Sequence, residues 1–140
     1  MKLNSIALPL TTGKKEKCRV PGRSGLNWGQ RPGRNQDQAY LSVPVEFQRS
    51  NFFPPSGIKF LAIFDDEFEV ECLRAQQNGK AIHSHTDNSI IGKYFRSRIG
   101  LSSGDLIIIE HLDKYGRTTV DVSYKSDGVY FFDFSVPTKV

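Results

Sequence analysis

Apolar side chains beyond residue 38 recur in short runs separated by turn-forming residues. Residues 39–43 alternate apolar and polar positions, which is typical of a strand with one buried face. The runs at 58–64 and 68–73 flank an acidic triplet at 65–67, so they predict a hairpin whose tip is solvated. Further extended segments are predicted at 80–86, 106–112, 118–124 and 129–134.

Two short helices interrupt this pattern. Pro44 precedes residues 45–49, and proline suits the first turn of a helix. A second helix is capped by Asn88 or Ser89 and runs to about Arg98, with apolar residues at helical spacing on one face. The pattern therefore predicts an all-β fold with six or seven strands and two short helices, arranged as a barrel-like, mostly antiparallel domain.

Length and composition fit one globular domain. The chain has 140 residues, of which 38% are hydrophobic and 24% charged. Cys18 and Cys72 lie far apart and in no paired motif, so we expect two free thiols and a reducing, cytoplasmic environment. The apolar residues among the first ten are too few, and too interrupted by Pro9, for a signal peptide or a membrane span.

Charge is distributed unevenly along the chain. Residues 1–38 carry eight Lys and Arg against two acidic residues, and residues 74–98 carry five against Asp87 alone. The remainder is net acidic although the whole chain is +4. Such segregation indicates a polyanionic partner that meets two specific segments. The alternative is a solvated basic face without a partner.

Both basic segments are rich in the side chains that read base edges. Arginine donates two hydrogen bonds to guanine, asparagine and glutamine pair with adenine, and aspartate accepts from cytosine. The first segment, 11–38, has few large apolar residues, and its Trp28 is interpreted as an anchor to the barrel. Only one aromatic side chain is interleaved with its arginines, which favours duplex over single-stranded nucleic acid.

Two alternatives belong to other functional classes. His83 and His85 lie on one face of an extended segment and could begin a metal site with nearby carboxylates, as in a metal-dependent nuclease. No obvious third ligand accompanies them, and His111 is interpreted as structural. The other alternative is a non-enzymatic barrel whose basic segments bind an acidic protein.

The chain resembles the B3-like DNA-recognition domains of bacterial restriction endonucleases, the pseudobarrel shared with plant B3 transcription factors. The resemblance covers roughly residues 20–136. It is carried by Ser24-Gly25-Leu26-Asn27-Trp28-Gly29-Gln30-Arg31 with Arg34-Asn35 and Ala39-Tyr40, by Arg74-Ala75-Gln76-Gln77-Asn78-Gly79-Lys80-Ala81-Ile82 through Asn88-Ser89, by Gly92-Lys93-Tyr94-Phe95-Arg96, and by Tyr115-Gly116-Arg117 and Asp133-Phe134-Ser135.

This resemblance implies an open, seven-stranded pseudobarrel at 20–140, preceded by an N-terminal extension at 1–19. It also implies two arms that enter the major groove and read a short duplex site without cleaving it. Related domains occur fused to nuclease domains, so we expect a nuclease domain in the same or a partner chain of a type II restriction endonuclease. We expect the isolated domain to be monomeric, free of membranes and bound to bacterial nucleoid DNA.

Residue assignments follow from the two arms. We expect base contacts from Arg31, Arg34, Asn35, Gln77, Asn78, Asp87 and Asn88. We expect contacts to the DNA backbone from Lys14, Lys17, Arg23, Gln30, Lys80, His85, Lys93 and Arg96. No catalytic residue, metal ligand or cofactor is expected in this domain, although Mg²⁺ would suit a separate nuclease domain.

Overall fold

A computed structural model describes residues 4–13 and 18–137. Seven strands form one sheet: β1 (Ser5–Pro9), β2 (Leu41–Ser42), β3 (Phe60–Phe64), β4 (Glu69–Ala75), β5 (Ala81–Ser84), β6 (Thr119–Ser126) and β7 (Val129–Asp133). The helices are α1 (Val45–Gln48), α2 (Ile90–Arg98) and α3 (Ile109–Tyr115), with 3-10 helices at Gly25–Gln30 and Gln77–Gly79. In the described ranges, no helix has the length and apolar character needed to cross a membrane.

The sheet curls into a nearly closed barrel. Its strand order is β1-β6-β7-β3-β4-β5-β2, and the two edge strands β1 and β2 approach each other. Neighbouring strands are antiparallel except β3 and β7, which are parallel. The predicted fold class, an open seven-stranded and mostly antiparallel barrel, is confirmed.

Alternation along the strands fills the barrel with aromatic and aliphatic side chains. Phe60, Ala62 and Phe64 point inward from β3, and β7 contributes Tyr130 and Phe132. The rings of Phe64 and Phe132 lie 5.2 Å apart, and inward-facing residues of β1, β4 and β6 complete the same cluster. The core therefore extends along the whole barrel and includes buried residues of the connecting segments, among them Leu26, Phe52 and Phe53.

Several predicted elements appear where the sequence placed them. The strands β3 and β4 form the predicted hairpin around residues 65–67, and α1 and α2 occupy the two predicted helical segments. Cys18 and Cys72 are free thiols, as expected.

The strand predicted at 106–112 is wrong, because α3 begins at Ile109 within that run. Ile107 is buried while Leu106 and Ile108 on either side are exposed, so the run starts as an extended segment. The backbone N–H of Ile108 then donates to His111 Nδ1 at 3.0 Å, which caps the start of α3. The helix ends at Gly116, whose φ of 109° suits glycine. His111 is structural, as interpreted from the sequence.

The N-terminal segment also differs from expectation. Ser5–Pro9, assigned to an extension at 1–19, forms β1 and pairs antiparallel with β6 from Ser5 opposite Ser123 to Pro9 opposite Thr119. Ile6 and Leu8 alternate with smaller neighbours and enter the core at 5% and 0% exposure. Ala7 lies between Ile6 and Leu8, so these five residues show no clear alternation of apolar and polar positions, and the sequence pattern did not predict a strand.

Candidate nucleic-acid interface

The first arm is built on the 3-10 helix Gly25–Gln30 and is attached to the barrel through Asn27. This side chain is completely buried. Its Nδ2 donates to the carbonyl oxygens of Ile107 at 2.7 Å and Pro21 at 2.9 Å, and its Oδ1 accepts from the Ile107 N–H at 2.9 Å. Asn27 therefore replaces missing backbone partners and holds the base of the arm against the segment before α3.

A buried ion pair fixes the other end of the arm. Asp37 and Arg96 are 3% and 1% exposed, and Asp37 Oδ1 lies 3.5 Å from Arg96 Nε. The same carboxylate accepts from the Gly104 N–H at 2.8 Å and from the Ser103 hydroxyl. Arg96 also donates to the Asp105 carbonyl oxygen at 2.8 Å. Burial lowers the pKa of Arg96, and the nearby Asp37 charge opposes that shift.

Arg96 was expected to bind a phosphate, and that expectation is wrong. Its guanidinium lies inside the protein, where the first arm, α2 and residues 104–105 meet. Sequence analysis did not identify this structural role, because Arg96 lies in a basic segment and its position in the sequence does not distinguish it from an exposed arginine. Asn27 and Asp37, likewise missed as positioning residues, carry no sequence signal beyond being polar residues in an arm.

Glycines in this region allow close backbone packing. A Cβ on Gly92 would lie 1.7 Å from the Asp37 carbonyl oxygen, so α2 contacts the arm directly at this point. A Cβ on Gly29 would lie 2.1 Å from the Asn35 carbonyl oxygen. Both positions need glycine because the backbones touch, which makes the arm a folded and rigid element.

Several polar side chains project from the first arm. Arg23, Arg31, Arg34 and Asn35 are exposed. The Arg34 guanidinium lies 4.1 Å from the ring centroid of Trp28 and donates to Gln38 Oε1 at 2.9 Å. Arg31 Nε donates to the Arg23 carbonyl oxygen at 2.9 Å. These contacts within the folded arm orient the side chains of Arg31 and Arg34, two of the expected base-reading residues.

Two other residues of the first arm mainly support its shape. The Trp28 ring packs edge-on against Tyr40 at 5.5 Å, which supports its interpretation as an anchor. Gln30, expected at the DNA backbone, donates through Nε2 to the carbonyl oxygens of Gln36 at 3.1 Å and Gly104 at 3.2 Å. Its amide nitrogen is therefore already engaged within the protein.

The predicted second arm, 74–88, is not one continuous loop. Strand β5 divides it into a turn at 76–80 and a loop at 85–88, which lie at opposite ends of the strand. The turn lies beside the end of β2, because the Val43 N–H donates to the Lys80 carbonyl oxygen at 2.8 Å. The loop joins the first arm instead, because the Ala39 N–H donates to the Asn88 carbonyl oxygen at 3.0 Å.

The 76–80 turn presents three of the expected contact residues. Gln77, Asn78 and Lys80 are exposed. Gln76 and Asn78 have positive φ angles of 67° and 61°, which non-glycine residues rarely adopt. The turn is thus a short, unusual backbone structure that carries polar side chains into solvent.

The 85–88 loop leads into α2 and is organised by Asp87. Its Oδ1 accepts from the Ser89 N–H at 2.9 Å and the Ser89 hydroxyl at 2.7 Å, and its carbonyl oxygen accepts from the Ser84 hydroxyl. These bonds to Ser89, with Lys93 nearby, hold the pKa of Asp87 below its usual range. His85 is exposed and Asn88 is half-buried beside it. Asp87 therefore orders the turn that leads into α2, whether or not it also contacts a base.

The two groups of polar side chains are separated by the length of β5. Strand β5 has four residues, which corresponds to about 13 Å of extended chain. The major groove of B-DNA is about 12 Å wide. Between the groups, Leu73 and His83 are paired across β4 and β5 and are half-buried on the outer face of the barrel. We call this outer surface, with one group at each end, the candidate interface.

Electrostatic pairing differs between the candidate interface and the barrel body. Arg98 Nη2 lies 2.9 Å from Asp65 Oδ2, and Arg117 Nη2 lies 2.7 Å from Asp121 Oδ2. The exposed cations of the candidate interface have no carboxylate oxygen within 4.0 Å in the described residues: Arg23, Arg31, Arg34, Lys80 and Lys93. Their charges therefore remain available to a polyanion.

The carboxylates of the acidic hairpin accept hydrogen bonds from other groups of the protein. Asp65 Oδ1 accepts from the Phe134 N–H at 2.7 Å, and Asp66 Oδ1 accepts from the Tyr94 hydroxyl at 2.8 Å. Among residues 4–13 and 18–137, no three His, Cys, Asp or Glu side chains come together as possible metal ligands. The geometry thus gives no support to a site made from His83, His85 and these carboxylates. Lys14 and Lys17, expected at the DNA backbone, lie outside the described residues.

Comparison with protein-family models gives a match over residues 3–126, to the family described as the NgoFVII C-terminal B3-like DNA-binding domain. Comparison with curated proteins found no match. The family match covers most of the chain and includes β1 to β6, ending before β7. The chain therefore belongs to the family of NgoFVII C-terminal B3-like DNA-binding domains.

Proposed function

We propose that this DNA-binding domain recognises a short, specific site in duplex DNA by placing its two arms in the major groove. The observation that carries the proposal is the candidate interface, in which polar and basic side chains stand at the two ends of β5, a strand about 13 Å long. One end consists of the first arm with the 85–88 loop, and the other is the 76–80 turn. A groove about 12 Å wide would admit side chains from both ends.

Base reading is assigned to side chains that can meet base edges, all of them exposed except the half-buried Asn88. At the first end these are Arg31, Arg34, Asn35, Asp87 and Asn88, and at the second end Gln77 and Asn78. Arginine fits guanine through two hydrogen bonds, whereas asparagine and glutamine fit adenine. Anchoring within the folded arm reduces the conformational entropy that Arg31 and Arg34 lose on binding.

Backbone binding is assigned mainly to cations of the candidate interface that have no carboxylate partner among the described residues. Arg23, Lys80, His85 and Lys93 would contact phosphates, and we assign the same role to Lys14 and Lys17. Each cation that neutralises a phosphate releases counterions, so binding should weaken as salt rises. Gln30 would contact the DNA backbone only through its side-chain oxygen, because its side-chain nitrogen already donates hydrogen bonds within the protein.

We propose further that the domain supplies target recognition to a restriction endonuclease. The nuclease domain would lie in the same or a partner chain and would use Mg²⁺, whereas DNA binding by this domain would need no cofactor. The domain by itself would be a monomer in the bacterial cytoplasm.

One selection experiment tests the central proposal. A random duplex library is bound by the protein at near-physiological salt, and recovered duplexes are sequenced. We expect enrichment of one short motif; equal recovery of all sequences would contradict specific recognition. Incubating the protein with plasmid and Mg²⁺ or Mn²⁺ tests the nuclease alternative, and cleavage that disappears in His85→Ala would establish that alternative instead.

A further inference from the structure

The 76–80 turn contains backbone conformations that require external support. Gln76 has φ 67° and ψ 177°, a region in which almost only glycine is found. Asn78 and Gly79 follow with φ angles of 61° and 63°. Strained conformations of this kind persist only where neighbouring groups hold them, and they concentrate at functional sites.

Arg74 provides that support from inside the barrel. Its side chain is buried, and Nη1 lies 3.5 Å from the Gly79 carbonyl oxygen. The guanidinium lies so close to the turn that a Cβ on Gly79 would lie 2.9 Å from Nη1. Nη1 also donates to the Gln48 carbonyl oxygen at 3.1 Å, and Nε donates to that of Pro54 at 3.2 Å. One planar group therefore links the turn to the 48–54 loop.

Aromatic packing also holds the 48–54 loop. Phe52 and Phe53 are buried and pack against Tyr130, with ring centroids 5.4 and 5.1 Å apart. A solvent-open pocket of about 490 Å³ lies among the 48–55 segment, Arg74 and the ends of β6 and β7, and Arg74 bridges the loop to the turn beside this pocket. Among the described residues, the Arg74 guanidinium has no carboxylate within 4.0 Å, and it donates to backbone carbonyl oxygens.

We propose that Arg74 is a positioning residue for sequence specificity: it fixes the strained 76–80 turn so that Gln77 and Asn78 meet their base edges in one orientation. This inference rests on the proposed function. Arg74 itself is too buried to contact DNA, so its effect passes through the turn. Lysine keeps the charge but has a single nitrogen, which cannot reproduce the bridge between turn and loop.

The test compares Arg74→Lys with the double variant Gln77→Ala/Asn78→Ala. Dissociation constants are measured for the selected duplex and for duplexes changed at each base pair, which identifies the base pair that the double variant no longer discriminates. We expect Arg74→Lys to reduce discrimination at the same base pair by about tenfold. We expect no further loss when it is added to the double variant, because residues acting through one element are not additive.

Arg117→Lys is the matched control. It makes the same chemical change at an ion-paired arginine of the barrel body and should leave discrimination intact. Arg74 would be merely structural if Arg74→Lys weakened binding to all duplexes equally, or if its effect added to that of the double variant. Either result overturns the inference.

Gln76→Gly tests the same inference without altering Arg74. Glycine relaxes the strained position, so the folded protein should lose discrimination at that same base pair; unchanged discrimination would overturn the inference even if Arg74 variants failed to fold. Failure of the proposed function is distinguishable, since the unmodified protein would then show no sequence preference. If the unmodified protein is specific but Gln77→Ala/Asn78→Ala keeps full discrimination at every base pair, the second arm does not read bases and the inference is wrong.

Discussion

Arg96 Nε lies 3.5 Å from Asp37 Oδ1, and this pair joins the first arm to α2 inside the protein. The two side chains are almost fully buried, so each is the principal counter-charge of the other. Gly92 lies directly against the Asp37 backbone one turn earlier on the same helix. The first arm is therefore attached to the domain by a charged contact in which neither partner is free to bind DNA.

Arg96→Met should destabilise the domain. Removing one partner of a buried ion pair leaves the other charge uncompensated, which costs about 3–5 kcal/mol. Urea denaturation followed by circular dichroism measures the loss. Lys93→Met on the same helix is the control, because Lys93 is exposed and its replacement should change stability by at most about 0.5 kcal/mol. Equal stability of both variants would contradict the structural role of Arg96.

Lys93→Ala should instead alter the salt dependence of DNA binding. Lys93 is exposed beside the 85–88 loop and has no carboxylate within 4.0 Å among the residues described. Loss of one phosphate contact should reduce the slope of log affinity against log salt by about 1. Lys125→Ala makes the same charge change on β6, where the ammonium lies 5.3 Å from the Phe131 ring. An equal reduction in the control would mean that net charge alone sets the slope.

Much of the barrel could be predicted from local pattern. The β3–β4 hairpin has two long apolar runs around a polar tip, and α2 has apolar residues at helical spacing, so each pattern is unambiguous. The segment at 106–112 begins with four apolar residues, which fit a strand or a buried helix equally. Which of the two forms depends on the hydrogen bond from the Ile108 N–H to His111 and on packing, and the local sequence pattern shows neither.

The candidate site was only partly predictable for a related reason. Exposed Arg34 and buried Arg96 are the same residue type in similar basic surroundings, and only the fold distinguishes them. The division of the second arm depends on the pairing of β5 with β4 and β2. The attachment of the 85–88 loop to the first arm depends on the hydrogen bond between Ala39 and Asn88, which are far apart in sequence. Local composition therefore located both basic segments but could not show which of their parts meet.

Asp87 should titrate at an unusually low pH. Hydrogen bonds from Ser89 favour the ionised carboxylate and hold the pKa of Asp87 below its usual range. Because the folded-state pKa is depressed, the stabilisation is present above the unfolded pKa of about 3.9 and is lost as pH falls through the folded pKa.

Carbon-detected NMR of the side-chain carboxyl measures that pKa directly. Asp87→Asn provides the comparison, because it keeps an oxygen acceptor but has no charge to titrate. The stability difference between the two proteins should be largest near neutral pH and should shrink in the acid range. A titration midpoint of Asp87 at or above about 3.9 would show that the hydrogen bonds from Ser89 do not favour the ionised carboxylate.

Arg34→Ala should relax the preference at one base pair. Stacking on Trp28 and the hydrogen bond to Gln38 hold the Arg34 guanidinium in place on the first arm. If Arg34 makes two hydrogen bonds to guanine, its loss should cost about 1–3 kcal/mol on the selected duplex and almost nothing on duplexes changed at that base pair. Arg34→Lys should behave nearly as alanine does, because an ammonium cannot reproduce the paired geometry. Arg49→Ala removes an exposed arginine outside both arms and should leave the preference unchanged. A uniform loss of affinity across all duplexes in Arg34→Ala would instead identify Arg34 as a phosphate contact.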